Sequence, residues 1–80
     1  MTELPGRELS KEWREVVAHQ VTALGWRYER GRKHHKLYPA DATQRPLIIP
    51  GSASDHRALR NFITAVRRAG GVWPPRGGRA

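Results

Sequence analysis

Two adjacent histidines, His34 and His35, lie in a strongly basic stretch that runs from residue 31 to residue 39. Histidine is the side chain that most readily gains or loses a proton near neutral pH. An imidazole among guanidinium and ammonium groups suits the cleavage of a phosphodiester, because the imidazole moves a proton while the cations stabilise charge on phosphorus. The same stretch also suits a surface that binds a phosphate backbone without cutting it.

The composition narrows the classes of protein to which the chain can belong. Its 80 residues are enough for one domain, and they carry 15 Lys and Arg against 7 Asp and Glu, a formal net charge of +8. Such an excess favours a polyanionic partner, with nucleic acid first and an acidic protein or an anionic membrane second. The chain has no cysteine, which excludes a disulfide scaffold and a thiolate zinc site. We see no bilayer-spanning apolar run and no signal-peptide core, so a cytoplasmic protein is expected.

Hydrophobic periodicity predicts two helices around three strands. Apolar residues at helical spacing predict a first helix over residues 10–24, capped by Ser10 and ended by Gly25. Alternation of apolar and polar residues predicts strands over 26–30, 33–38 and 45–49, separated by a tight turn and a loop. A second amphipathic pattern predicts a helix that starts near Ser52, Ser54 or Asp55 and stops at the glycine pair 70–71.

This order predicts an α+β, two-layer sandwich of the double-stranded-RNA-binding-domain type. A three-stranded antiparallel sheet carries both helices on one face and leaves its other face open. We expect a flexible N-terminus over residues 1–9, a single domain over 10–71, and a basic flexible tail over 72–80.

Alternation along the strands predicts which side chains lie on the open face. Leu37 is expected to face the helices, and His35 shares that side, whereas His34, Lys36 and Tyr38 face the opposite way. Neighbouring strand residues point to opposite faces, so the histidine pair is a poor metal chelate and no metal site is expected. By the same alternation, Trp26 and Tyr28 of the first strand are expected to face the helices, whereas Arg27 and Glu29 are expected to lie on the open side.

The order of elements and several short motifs resemble the HicA family of toxin ribonucleases. The matching pieces are Leu24-Gly25-Trp26 before the first strand, residues 31–37 at the position of the family's Gly-Ser-(x)-His pattern, Ile48-Ile49-Pro50 at the end of the third strand, and Arg67-Arg68-Ala69-Gly70 at the end of the last helix. The similarity covers roughly residues 10–71. Arg32 stands where the family has serine, and Lys33 precedes the histidine.

The resemblance implies a metal-independent, cofactor-free endoribonuclease in which His34 is the catalytic residue. The 2′-hydroxyl of RNA would act as nucleophile and leave a 2′,3′-cyclic phosphate, with Tyr38, Lys36 or water as the second proton-transfer group. It also implies RNA as substrate and an acidic, HicB-like antitoxin as protein partner. The candidate RNA- and phosphate-binding residues are Arg27, Arg32, Lys33, Lys36, Tyr38, Arg57 and Arg60.

Two other interpretations fit the same residues. The chain could be a non-catalytic RNA- or DNA-binding protein of the same fold, of viral or mobile-element origin, in which Arg32 and Lys33 mark lost catalysis. It could also be an interaction module whose positive charge serves only an acidic protein partner.

Overall fold

A computed structural model of the chain describes residues 4–32, 34–50 and 56–75. The elements are α1 (Lys11–Leu24), β1 (Arg27–Glu29), β2 (His34–Tyr38), β3 (Leu47–Pro50) and α2 (His56–Arg68). The predicted α-β-β-β-α order and the α+β fold class are confirmed. No helix of the described ranges is long and apolar enough to cross a bilayer.

Some predicted boundaries are wrong by a residue or two. The third strand begins at Leu47 rather than Arg45 and includes Pro50, which was expected to stop it. Proline at the last position of a strand gives up only one ladder donor, and this strand lies at an edge of the sheet. Lys33, predicted to open the second strand, lies outside the described residues, and so do the three candidate caps of α2, Ser52, Ser54 and Asp55.

Helix α1 ends where a left-handed residue is needed. Gly25 has φ +75°, a conformation that costs other residues the clash of a Cβ with the backbone, and its N–H donates to the carbonyl of Gln20. Ser10 occupies the N-cap position with an extended backbone, but its side chain makes no capping hydrogen bond. The helix buries one stripe against the sheet: Trp13, Val16, Val17, Gln20 and Val21.

The sheet has the order β1-β2-β3 with both pairs antiparallel. Arg27 pairs with Tyr38 and Glu29 with Lys36, so β1 and β2 form the first hairpin. Lys36 in turn lies opposite Ile48, and His34 opposite Pro50. Because side chains alternate across a strand, this register sets the membership of each face.

The predicted division of the sheet into a packed and an open face is confirmed. Tyr28, His35, Leu37 and Ile49 are buried on the helix side, and Trp26 is buried beside them. Helix α2 adds Phe62, whose ring stacks on Trp13 at 4.8 Å between centroids. We call the opposite side the open face, and its described side chains are Arg27, Glu29, His34, Lys36, Tyr38 and Ile48.

The packed part of the chain begins before α1. Leu9 belongs to the core, and the Glu8 carboxylate accepts hydrogen bonds from the Gly6 N–H, the Tyr28 hydroxyl and the Arg30 guanidinium at 2.8–3.1 Å. Partial burial opposes ionisation of Glu8, but these donors outweigh it and lower its pKa to about 2. The predicted flexible N-terminus therefore contains two residues with specific contacts: Glu8, which bonds to Tyr28 of β1, and Leu9, which lies in the core.

The pKa of Glu8 predicts a loss of stability in acid. Its value in the folded state, about 2, lies below the ordinary 4.5, so the unfolded chain takes up the proton first as the pH falls. The stabilisation is complete above about pH 4.5 and disappears towards pH 2. Because Arg30 is half exposed, we expect about 1–2 kcal/mol from this cluster.

Urea unfolding at pH 6 and pH 2.5 tests this contribution in the natural chain and in Glu8→Gln. The variant is expected to be less stable at pH 6 and nearly equal to the natural chain at pH 2.5. Asp41, whose pKa is lowered by hydrogen bonds from Thr43, titrates in both proteins and cancels in the comparison. An equal deficit at both pH values would contradict the assignment.

A fully buried glutamine ties the end of the described chain to α1. Gln20 is 0 % exposed, and its amide nitrogen donates to the carbonyl oxygens of Val16 (3.1 Å) and Val72 (2.7 Å). Its amide oxygen accepts the Val72 N–H at 2.9 Å. Trp73 packs against the core, and its carbonyl accepts a 2.7 Å hydrogen bond from Arg67. The folded contacts therefore extend past residue 71, the predicted end of the domain.

Candidate nucleic-acid interface

His34 lies at one end of the open face with its side chain in solvent. It is the first residue of β2, and the exposed Arg32 lies two residues before it in the hairpin loop. Lys33, the other predicted phosphate-binding residue of this loop, lies outside the described residues. Within the described ranges, no side chain hydrogen-bonds to His34. The imidazole is thus accessible to a ligand, but a ligand must orient it.

Lys36 and Glu29 occupy the middle of the open face. Lys36 follows His34 by two residues on the same side of β2, a separation of about 7 Å along a strand. Glu29 is the cross-strand partner of Lys36, so the face carries an acidic side chain at its centre. Any phosphate bound beside His34 would lie within reach of Lys36, whereas the Glu29 carboxylate would repel a phosphate placed beside it.

Arg27, Tyr38 and Glu29 form a connected cluster at the other end of the open face. The Arg27 guanidinium lies 4.4 Å from the centre of the Tyr38 ring, and the Tyr38 hydroxyl donates to Glu29 at 2.8 Å. The hydrogen bond to the Glu29 carboxylate raises the pKa of Tyr38. The half-buried ring therefore offers a stacking platform made of the guanidinium and the phenol together, rather than the bare ring that alternation predicted.

The position of Tyr38 removes it as the proton-transfer partner of His34. Four strand residues separate the two side chains by about 13 Å, too far for both to act on one phosphate. The Tyr38 hydroxyl is also engaged by Glu29. Of the expected second groups, Lys36 and water are left.

His35 is a packing residue, as expected for the helix side of β2. It is 6 % exposed, its ring lies 6.0 Å from that of Tyr28, and its Nδ1 accepts the N–H of Gly31 at 3.1 Å. This contact links the residue before Arg32 to the residue after His34. Buried His35 thus helps to fix the hairpin segment that carries exposed His34, a connection that the alternation of side chains does not predict.

Gly31 is the position where this hairpin tolerates no side chain. A Cβ there would collide with the backbone carbonyl oxygen of His34, and no side-chain rotation can relieve a clash with backbone. We expect Gly31→Ala to lower the free energy of unfolding by about 1–3 kcal/mol, the usual cost of overpacking, and to shift the amide resonances of residues 32–36.

Gly6→Ala is the matched control for Gly31→Ala. A Cβ at Gly6 would meet only the flexible ends of two side chains, Glu8 Oε1 at 3.2 Å and Arg30 Nη2 at 4.0 Å, and no backbone atom. Its cost is therefore limited to the hydrogen bonds of Glu8, and it should leave the resonances of residues 32–36 unshifted. Thermal unfolding and amide spectra of both variants give the comparison. A Gly31→Ala variant as stable as Gly6→Ala, with unshifted loop resonances, would contradict the role of Gly31.

Arg57 and Arg60 lie on the first turns of α2 and are both exposed. The chain after α2 is held against Gln20, in the second half of α1, close to where β1 starts. Ala58 in the first turn of α2 lines a cavity together with Leu47 and Ile48 of β3 and with Trp13 of α1, so the start of α2 packs over β3 on the helix side of the sheet. Arg57 and Arg60 therefore lie on the helix layer and do not share the open face with His34.

A cavity of about 360 Å³ opens beside the Arg27–Tyr38 pair. Its wall is the β2–β3 loop, in which Asp41 accepts hydrogen bonds from the backbone N–H and the hydroxyl of Thr43, at 3.0 and 2.7 Å. Sequence reasoning missed this cavity, since its loop shows no periodicity. The tight turn predicted between strands 26–30 and 33–38 would pair Arg27 with Lys36, whereas the observed register pairs Arg27 with Tyr38, so the sequence did not reveal that half of the cavity either. The lining residues are Gly25, Arg27, Tyr38, Pro39, Ala40, Ala42 and Gln44.

Two further observations complete the description of the site. Among residues 4–32, 34–50 and 56–75, no three His, Asp or Glu side chains are close enough together to hold a metal ion. Comparisons with protein-family models, with curated proteins and with solved structures each found no match to this chain.

Proposed function

We propose that this protein is a HicA-like endoribonuclease that binds single-stranded RNA along the open face and cuts it through His34. One observation carries the proposal: His34, two residues after the exposed Arg32 of the hairpin loop, is exposed at the end of a face that also presents Lys36, in a chain of net charge +8. Positive charge attracts the RNA backbone, and an accessible imidazole next to it can move a proton of the 2′-hydroxyl. The compartment is then the cytoplasm, where an acidic antitoxin would cover the same cations.

The arrangement supports a slow enzyme rather than a fast one. A single imidazole without an orienting hydrogen bond within the described structure must be positioned by the substrate itself. In the proposed step, neutral His34 takes the 2′-hydroxyl proton, the 2′-oxygen bonds to phosphorus, and the 5′-oxygen leaves with a proton from Lys36 or water. The products are a 2′,3′-cyclic phosphate and a 5′-hydroxyl.

The test uses purified protein and an oligodeoxynucleotide that contains one ribonucleotide. We expect cleavage only on the 3′ side of the ribonucleotide, a cyclic phosphate on the upstream product, and an uncut all-deoxy control. Cutting of the all-deoxy strand, or a linear phosphate as first product, would contradict the mechanism. No cutting of this substrate or of long single-stranded RNA would refute the ribonuclease.

A second candidate function is RNA binding without cleavage. The observation that favours it is the lack of any described side chain that orients His34, together with Arg32 in place of the family's serine. This non-catalytic function predicts an affinity for RNA that falls steeply as the salt concentration rises. It also predicts that replacing His34 changes only the affinity for RNA, because there is no cleavage to lose.

A further inference from the structure

The cavity beside the Arg27–Tyr38 pair has the features of a site for one flat ligand. Its volume of about 360 Å³ lies at the small end of the range for ligand pockets, which suits a single ring system. Pro39, Ala40 and Ala42 line it with small apolar surface, and Gly25 contributes no side chain. A phosphate group needs several donors and little apolar contact, so this lining favours a base over a phosphate.

The stacking platform of the cavity is already assembled. Arg27 and Tyr38 are cross-strand partners, and their side chains lie 4.4 Å apart. The hydrogen bond from Tyr38 to Glu29 fixes the ring in place. Nucleobases of single-stranded RNA stack on aromatic rings and on guanidinium planes. Because the Arg27 and Tyr38 side chains are already in contact, binding of a base loses little conformational entropy in ordering them.

The polar groups that line the cavity match the edge of a purine. Since the Tyr38 hydroxyl is engaged by Glu29, the other polar side chains of the lining are the Arg27 guanidinium and the Gln44 amide. Arg27 also contacts Tyr38, and Gln44 donates one amide N–H to Asp41, which leaves its amide oxygen and second N–H for a ligand. Arginine pairs with O6 and N7 of guanine, and glutamine pairs with N6 and N7 of adenine. Cytosine and uracil carry neither the O6 and N7 pair of guanine nor the N6 and N7 pair of adenine.

We propose that this cavity is a specificity site that binds a purine base of the RNA strand whose scissile phosphate lies at His34. The inference rests on the proposed RNA binding by the open face. Tyr38 and His34 share that face about 13 Å apart, a distance that a few nucleotides of extended strand can span. The purine therefore lies at a fixed offset from the cut, and the enzyme selects its cleavage positions through this base.

The test measures binding without cleavage. Labelled oligopyrimidines of 2′-O-methyl RNA, which lack the nucleophilic hydroxyl, are titrated into the full chain and followed by fluorescence anisotropy, with or without one purine. We expect the purine to tighten binding about tenfold or more. Gln44→Ala is expected to remove most of that preference while leaving affinity for the pyrimidine strand within about threefold. Arg27→Lys also disturbs the stacking surface, so it is expected to weaken binding of both strands and to weaken the purine-containing strand more.

Arg45→Ala is the matched control, because Arg45 is an exposed cation next to Gln44 that does not line the cavity. It is expected to weaken both oligonucleotides by the same factor. Equal affinity for both strands, or a purine preference that survives Gln44→Ala and Arg27→Lys, would overturn the inference. Purine-selective binding by a chain that cuts no RNA would support the cavity and refute the ribonuclease. Cleavage of RNA by a chain that shows no base preference would support the ribonuclease and refute the specificity site.

Discussion

Replacing His34 by alanine is expected to lower the rate of RNA cleavage by about 10²–10⁴-fold, the usual contribution of one general acid–base group. The physical reason is that His34 is the only imidazole on the described open face, so no neighbour can take over its proton transfer. Because its side chain is exposed, the substitution removes no core contact and the thermal unfolding midpoint should stay the same. Single-turnover cleavage of the ribonucleotide-containing substrate gives the rate.

His19→Ala is the control for the loss of a histidine as such. His19 lies on α1, where its ring makes an edge contact with Trp73, and it does not belong to the open face. It should cut RNA at the natural rate. If His34→Ala also cuts at the natural rate, then His34 is not catalytic, and any cleavage comes from a different group.

Replacing Gln20 by leucine is expected to lower the free energy of unfolding by about 2–4 kcal/mol. The two side chains have similar volume, so the change removes hydrogen bonds without opening a large cavity. It leaves the N–H and the carbonyl of Val72 without this partner, and because Val72 is partly exposed, water compensates in part, so each group costs towards the low end of the usual range of about 1–3 kcal/mol. In so small a domain this is a large share of the total stability, and the unfolding midpoint should fall by roughly 10–25 °C.

Thr22→Leu is the control for Gln20→Leu, since Thr22 lies two residues further along α1 and is exposed. It should change stability by less than about 1 kcal/mol. A chain that ends at Gly71 adds a second test, because it lacks the backbone that Gln20 holds. The two changes should cost less together than the sum of their separate costs. A Gln20→Leu variant as stable as the control would show that the hydrogen bonds to Val72 carry no net stability.

Much of the fold could be predicted from local pattern alone. The residues Leu59, Phe62, Ile63 and Val66 repeat with the period of a helix, and the strand residues around Leu37 alternate with a period of two. Those periods decide which side chain meets the core. They placed His34 on the exposed side and His35 on the buried side, as the structure has them.

The boundaries at the two ends of the domain were less predictable, because they depend on partners far away in the sequence. Nothing local distinguishes Glu8 from a solvated acid, yet it bonds to Tyr28, 20 residues further on. Gln20 interrupts an apolar stripe, and its partner Val72 lies 52 residues away. A polar residue at a helix position that faces the core was the available signal that some backbone segment had to pack there.

The sequence by itself determined the order of elements, the two faces of the sheet and the net positive charge, because each follows from local periodicity or from counting. Tertiary structure decided what shares the open face with His34. Strand register placed Glu29 opposite Lys36 and Arg27 under Tyr38, and the packing of the β2–β3 loop made the cavity beside them. These neighbours come from different elements, and only the pairing of strands places their side chains next to each other.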